Sequence, residues 1–279
     1  MPDVACVNGR FMPLAEATVS VEDRGFQFGD GVYEVIRTYQ GRPFELEGHL
    51  ARLERSAQAL NIPQPYSRSK WTQYVLEGIK RAGYPEAKIY LQITRGAAPR
   101  DHAFPANATT TVVITIREFH ALSPELQNFG VSAIVIDDLR WERCDIKSVN
   151  LLANVLARQQ AKLAGVFETI LVKDGQVTEG AVSNVMAVLA GAVITAPEGP
   201  HILSGITRGV VLELARKDGI PVQERPIPQS DLFRVDELFL TGTTVEVIGV
   251  VKVNDKAIGT GRPGPITHRL ASLFRRTTV

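Results

Sequence analysis

The sequence predicts an α+β fold built largely from antiparallel strands, and three observations carry that prediction. Turn-forming pairs recur between apolar runs, at Asn8-Gly9, Asp174-Gly175 and Asn254-Asp255. Such residues accept the positive φ angles of two-residue hairpins. Apolar alternation of period two marks many segments, whereas long stripes of helical period mark only three. The regular β-α-β alternation of a doubly wound parallel sheet is missing.

The Asn8-Gly9 turn joins C-V to R-F-M, and Asp174-Gly175 joins T-I-L-V-K to Q-V. Further strands are expected at 31–39, 87–94, 110–117, 131–137 and 237–240. A helix over 47–60 aligns Leu50, Leu53, Ala57 and Leu60, and one over 148–164 carries Leu151, Leu152, Val155, Leu156, Ala161 and Leu163. A third, over 207–218, carries Val210, Val211, Leu214 and Ala215 and stops at Gly219. The apolar stretch 181–197 is interrupted by Ser183, Asn184 and Gly191 and reads as a hairpin, too short and polar to span a bilayer. The segment E-F-H-A-L-S-P-E at 118–125 lies between two strand patterns, and its Ser-Pro discourages helix. It divides the chain into a smaller N-terminal domain, 1–119, and a larger C-terminal domain, 120–279, which carries the site lysine introduced below.

With 31 basic and 30 acidic residues the chain has a formal charge of +1, so no nucleic-acid or membrane-surface partner is expected. Cys6 and Cys144 form neither a metal-ligand spacing nor a disulfide framework, which suits reduced thiols in the cytoplasm. The opening residues carry no export signal. The histidines, at positions 49, 102, 120, 201 and 268, are scattered, and no metal site is expected.

Phosphate-loop, nucleophile-elbow and zinc-protease motifs are all missing. What stands out is Lys147 in C-D-I-K-S-V-N-L-L, a cation placed just ahead of an apolar helix. Two helix starts offer anion sites: S-G-I-T-R at 204–208, with Thr207, and T-G-T-T-V-E at 241–246, with Thr243 and Thr244. Each alone is ordinary capping. Together, a lysine and a phosphate cradle suggest a Schiff base with pyridoxal 5'-phosphate. Such a cofactor needs an acid to keep its ring nitrogen protonated, and Glu179 in V-T-E-G is a candidate. By position alone Glu179 is more often a solvated glutamate.

The motifs E-D-R-G-F-Q-F-G-D-G-V-Y-E-V-I-R, T-R-G-A-A-P-R-D-H-A-F-P, R-C-D-I-K-S-V-N-L-L, V-T-E-G-A-V-S-N and L-S-G-I-T-R follow one another along the chain. In this order and spacing they resemble the fold-type IV aminotransferases, and within them the D-amino-acid (D-alanine) branch. The resemblance implies a two-domain architecture, with a small α/β domain followed by a larger one whose antiparallel sheet is barrel-like. It also implies that Lys147 forms the Schiff base and carries the substrate proton, and that Glu179 pairs with the cofactor ring nitrogen. Arg52, Ile206, Thr207, Thr243 and Thr244 would hold the phosphate, and Leu203 would pack on the ring. Tyr33, Arg100 and His102 would trap the substrate carboxylate, the last two reaching in from the partner subunit of a homodimer.

The implied reaction moves an amino group from a D-amino acid such as D-alanine to a 2-oxo acid such as 2-oxoglutarate. Arg37 occupies a position that is usually basic in this branch. Ala181 and Val182 stand where the D-alanine enzymes carry serines, which makes that wall more apolar and bears on side-chain preference. Other activities of the same fold are (R)-amine transamination, branched-chain L-amino-acid transamination and aminodeoxychorismate cleavage. A non-catalytic binding protein, with Lys147 as a helix-start cation, is the alternative from another class.

Overall fold

The computed structural model describes residues 3–278. Met1, Pro2 and Val279, at the outer ends of the two expected domains, lie outside the described residues. Contacts divide the chain into two units. The first runs up to His120 and takes back Ile146–Asn150; the second comprises Ala121–Asp145 and the chain from Leu151 onward.

The first unit holds strands β1 (Val4–Val7), β2 (Arg10–Pro13), β3 (Gly31–Tyr39), β4 (Arg42–Pro43), β5 (Ala87–Thr94) and β6 (Thr111–Glu118). They form one sheet in the order β2-β1-β6-β5-β3-β4, antiparallel throughout. Asn8 and Gly9, with φ of 48° and 85°, make the β1–β2 turn as the sequence predicts. Helices α1 (Arg24–Phe28), α2 (Leu46–Ala59) and α3 (Arg68–Ala82) complete the unit. Leu50, Leu53 and Ala57 of α2 and Trp71 and Val75 of α3 pack with Val32, Ile36, Ile89 and Ile114 in one core.

The second unit holds β7 (Val131–Asp137), β8 (Glu168–Lys173), β9 (Gln176–Gly180), β10 (Asn184–Leu189), β11 (Ala192–Thr195), β12 (Val222–Glu224), β13 (Ile227–Pro228), β14 (Glu237–Gly242), β15 (Glu246–Val253) and β16 (Lys256–Ala257). Its helices are α4 (Pro124–Phe129), α5 (Leu152–Leu163), α6 (Ile206–Lys217) and α7 (Pro265–Arg276). The sheet runs β12-β11-β10-β14-β15-β7-β8-β9-β13, with β16 added on β15. Most pairs are antiparallel, but β7 is parallel to both β15 and β8, and β12 is parallel to β11. The β7–α5–β8 passage is thus a crossover inside an otherwise hairpin-built sheet.

Expectations change at three places in the chain. The helix expected over 148–164 begins only at Leu152. Residues ahead of it are held out of the helix because they bond to β3: the Tyr33 N–H donates to the Lys147 carbonyl (2.9 Å) and the Val149 N–H to the Gly31 carbonyl (3.0 Å). That pairing also puts Lys147 in the first unit, not in the C-terminal one. Second, Ser123-Pro124 starts a helix instead of preventing one. Proline occupies the first turn of α4, where no N–H is needed, and the Ser123 hydroxyl caps Leu126 N–H at 3.3 Å. Third, T-G-T-T-V-E is no helix start. It is the turn between β14 and β15, closed by Val245 N–H on the Gly242 carbonyl (3.2 Å), so Thr243 and Thr244 sit at a hairpin tip.

After β5 the chain turns at Gly96 into the loop that carries Arg100 and His102. Gly96 has φ of +102°, and a Cβ there would lie 1.9 Å from the Thr109 carbonyl oxygen. Gly41, by contrast, has φ of +78° and nothing within 4 Å of its would-be Cβ. Gly41→Ala is expected to cost only the left-handed backbone penalty, about 1–2 kcal/mol. Gly96→Ala is expected to cost clearly more, read as a larger drop in urea midpoint; equal drops would contradict the close approach.

Candidate active site

In the first unit β3 turns Val32, Glu34 and Ile36 inward, so an acid stands at a core position, fully buried. Its charge is met by α2, which places His49, Arg52 and Ser56 on one face through i, i+3, i+7 spacing. Arg52 grips Glu34 with a two-pronged contact, Nε–Oε1 at 2.7 Å and Nη2–Oε2 at 2.8 Å, while His49 Nδ1 lies 2.7 Å from Glu34 Oε2. Burial alone would raise the Glu34 carboxyl, but the Arg52 charge and the Arg52 and His49 hydrogen bonds bring it down to about 2. Burial depresses His49 below its ordinary value, against the pull of Glu34 and with the push of Arg52 and Lys147. His49 is therefore neutral, its Nδ1–H donating to Glu34.

Lys147 lies against this cluster. Its N–H donates to Ser56 Oγ of α2 at 3.2 Å, its carbonyl is held by Tyr33, and its ammonium lies 4.3 Å from the Tyr33 ring centroid. Tyr33 stacks in turn on Tyr90, centroids 5.5 Å apart. Of the residues expected from sequence, this unit therefore gathers Lys147, Tyr33 and Arg52. Arg100 and His102 stand apart on an exposed loop, and neither has a hydrogen bond or ring contact with Tyr33 or Lys147 of the same chain. Arg37 is buried and committed elsewhere, bonded to Glu86 at 3.0 Å and lying over Tyr39 and Phe119.

In the second unit Glu179 stands one residue before the end of β9, buried and not solvated. One oxygen accepts from the Arg140 guanidinium; the other accepts from Asn184 Nδ2 (3.0 Å) and the Leu203 N–H (3.1 Å). Arg140 is itself fixed by Asp138, at 2.7 and 2.9 Å, and Asp138 accepts from the Thr178 hydroxyl at 2.8 Å. Burial raises the Glu179 carboxyl above its usual range, outweighing the opposing pull of Arg140 and the Leu203 N–H. A carboxylate accepts at about four lone-pair positions. With three taken, one direction remains for a further donor.

Asn184 also ties this carboxylate to the start of α6. Its amide donates to the Leu203 carbonyl at 3.0 Å, and a Cβ on Gly205 would lie 1.9 Å from its Oδ1. Gly205 caps α6 without any side-chain cap, leaving the first-turn N–H groups of Ile206 and Thr207 for an anion. Asn184 is paired across the sheet with Thr241, at the end of β14 where the Thr243–Thr244 turn begins. The unit thus brings Glu179, Leu203, Ile206 and Thr207 together, with Thr243 and Thr244 at the same end of the sheet. Ala181 is buried and its carbonyl accepts from Asn154 at 2.7 Å, whereas Val182 is exposed.

Sequence reasoning missed Glu34, His49, Asp138, Arg140 and Asn184. Glu34 had a readable signal, an acid in phase with Val32 and Ile36 on the inward face of a strand. Arg140 had none, because its partner Glu179 is remote in sequence. Both cysteines are buried and unpaired, and burial pushes the Cys144 thiol up to about 11. Among the described residues no cluster of His, Cys, Asp and Glu could hold a metal ion, and no helix is long and apolar enough to cross a membrane.

The Glu34–His49 pair fixes how acid acts on the first unit. Folded His49 binds its proton more weakly than unfolded His49, so stability falls as pH drops below about 6.5. Glu34 contributes stability that is complete above 4.5, its ordinary value, and is lost as pH falls toward about 2. Hydrogen-exchange protection of β3 and α2 should decline in these two windows. His49→Gln should flatten the upper one, and an unchanged upper decline in that variant would contradict a neutral His49.

The model of the amino-transferase class IV family matches residues 31–253. A D-alanine aminotransferase of Bacillus licheniformis is 43% identical over 272 residues, which is 98% of this chain and 96% of that one. A second, from Staphylococcus haemolyticus, is 39% identical, covering 97% of this chain and 96% of its own. Among solved structures, a branched-chain amino acid aminotransferase of Escherichia coli superposes with a TM-score of 0.93 at 29% identity, covering 100% of this chain and 95% of that one. The matched span begins with β3 and ends with β15, and so takes in Lys147, Glu34, Glu179 and the start of α6. The chain belongs to the class IV amino-transferases.

Proposed function

We propose that the protein is a D-amino-acid aminotransferase that moves the amino group of D-alanine and similar substrates to a 2-oxo acid such as 2-oxoglutarate. The observation that carries this reading is the 43% identity to a D-alanine aminotransferase over 98% of the chain. The Arg100–His102 pair on its exposed loop supports it. The fold-level likeness to branched-chain enzymes favours the second reading, an L-specific enzyme, but at 29% identity.

Pyridoxal phosphate supplies an aldehyde that takes up the amino group and a ring that accepts electrons. The residues present fit it. Glu179 has one acceptor direction left for a cationic ring N–H, which would also offset the burial that raises its carboxyl. The uncapped first turn of α6, Ile206 and Thr207, suits the phosphate, with Arg52 and the Thr243–Thr244 turn as further ligands. Leu203 would pack on the ring, its backbone already tied to Glu179. Lys147 would be the amine that holds the aldehyde and would move the proton at the substrate α-carbon, with Tyr33 beside it.

Arg100, His102 and Tyr33 would receive the substrate carboxylate, since a guanidinium and a ring N–H donate toward carboxylate oxygens. The proposal extends to a homodimer in which Arg100 and His102 of each chain serve the other's site. It is supported by the exposure of both side chains and by their lack of contact with Lys147 of their own chain. The two unpaired cysteines support a reducing, cytoplasmic setting.

Half-reactions separate the readings. D-alanine should convert the bound cofactor from its aldehyde to its amine form, seen as a change in visible absorbance, while L-leucine should not. The reverse result would establish the branched-chain reading. Arg100→Ala should weaken D-alanine by ~10–100-fold in kcat/KM, the worth of a hydrogen bond to a charged group. Any turnover of a simple (R)-amine should be nearly unaffected, and equal losses on both would argue against a carboxylate role.

A further inference from the structure

We propose that Arg24 is a positioning residue for the carboxylate trap: it holds the main chain at Asp101 and His102 and, with Phe28, sets the Arg100 and His102 side chains to meet one carboxylate. The inference rests on the reading in which those two residues receive the substrate.

Arg24 opens α1 and is 3% exposed, far more buried than a surface arginine that only solubilises a turn. Its Nε is bonded to Asp30 at 2.8 Å, which fixes the plane of the guanidinium. The two remaining nitrogens reach backbone oxygens of the exposed loop, Nη1 to the Asp101 carbonyl at 2.5 Å and Nη2 to the His102 carbonyl at 3.3 Å. Those carbonyls belong to the two peptide planes that flank the His102 Cα, the first starting one residue beyond Arg100. Fixing those two successive peptide planes fixes the direction in which the His102 side chain leaves the backbone; Arg100 is set by its own contacts, Nη1 on the Gln27 carbonyl at 3.5 Å and the guanidinium over Phe28.

A second contact works on the side chains themselves. The Phe28 ring, at the end of α1, has Arg24 at 4.8 Å, Arg100 at 4.5 Å and His102 at 5.3 Å from its centroid. The same ring therefore backs both trap residues and the arginine that holds their main chain.

The anchor beneath is a cluster with more cation than anion. Arg95 shares Asp30 with Arg24, at 2.8 and 3.0 Å, and donates as well to the carbonyls of Leu60 and Asn61 at 2.8 and 2.9 Å. Two buried guanidinium groups on one carboxylate need further acceptors. Carbonyl oxygens of the loop and of the end of α2 supply them. The loop is thus held because the buried charge of Arg24 requires its carbonyls. A lysine, with a point charge and no planar fork, could keep Asp30 but not span both carbonyls.

The test uses the holoenzyme and propionate, an unreactive carboxylate, titrated by calorimetry into wild type, Arg24→Gln, Arg24→Lys and Arg100→Ala. Arg24→Gln should weaken propionate about tenfold or more, about 1.4 kcal/mol. It should raise KM for D-alanine by a similar factor with kcat little changed, and hydrogen exchange should quicken at residues 99–104. Arg24→Lys should fall between wild type and Arg24→Gln, and it decides the matter alone should the glutamine variant fail to fold. Unchanged propionate affinity in both Arg24 variants, with Arg100→Ala weakened, overturns the role of Arg24 alone. Unchanged affinity in Arg100→Ala overturns the trap reading and the inference with it. A loss confined to kcat would mark Arg24 as a general structural support and also overturn the proposal.

Discussion

The pairing of Ile146–Asn150 with the start of β3 is the contact on which the lysine site depends. β3 has an open edge there, because β4 is only two residues long and pairs with Thr38 and Tyr39 at the far end. Backbone groups taken out of water must find partners, and the segment supplies them. The consequence for Lys147 is geometric. Had it stood in the first turn of α5, its Cα would have shared the fraying of a helix end. Pinned on both sides, by Tyr33 and by Ser56, it has a fixed origin, and only the side chain moves.

The same segment joins the lysine to a buried charge system in which every member has a partner. Glu34 neutralises Arg52, and His49 stays neutral, so Lys147 faces one paired cation and one uncharged ring. An ion pair at a core position contributes little net stability by itself, but breaking it by removing one partner costs about 3–5 kcal/mol. Glu34 is thus bound to its place by the arginine it holds, and Arg52 is presented with its plane set. In the second unit Glu179 has the complementary character, a buried carboxylate whose donors do not fully offset its burial. A cationic donor at that carboxylate would be held more firmly than at a solvated glutamate, where water screens the charge.

Much of the fold was legible in the sequence. The strands at 31–39, 87–94 and 131–137 follow from alternation, and the β1–β2 turn follows from Asn-Gly. The helix start at Ile206 is marked by its small-residue lead-in. Three features were hidden for different reasons. α3 is capped by Ser67 and stopped by Gly83, but its polar residues dilute the stripe of Trp71, Val75 and Ile79. Residues 148–151 have helical periodicity and stay out of the helix all the same, because tertiary pairing overrides local preference. Thr243 and Thr244 look like capping residues, yet the strand pairing on either side makes them a turn. At the site, the positions of Lys147, Arg52 and Glu179 could be read from motifs. Of their partners only Glu34 left a signal, its inward phase on β3; the pairing of Arg140 with Glu179 joins residues remote in sequence and left none.

The proposed chemistry requires Lys147 to be the amine that engages a phosphorylated aldehyde. The most direct measurement is to load the purified chain with pyridoxal phosphate, reduce it with borohydride, digest it and locate the modified lysine by mass spectrometry. One modified peptide is expected, the one containing Lys147, and no such label in Lys147→Ala. A label fixed on a different lysine, or none on a chain that binds the cofactor, would contradict it.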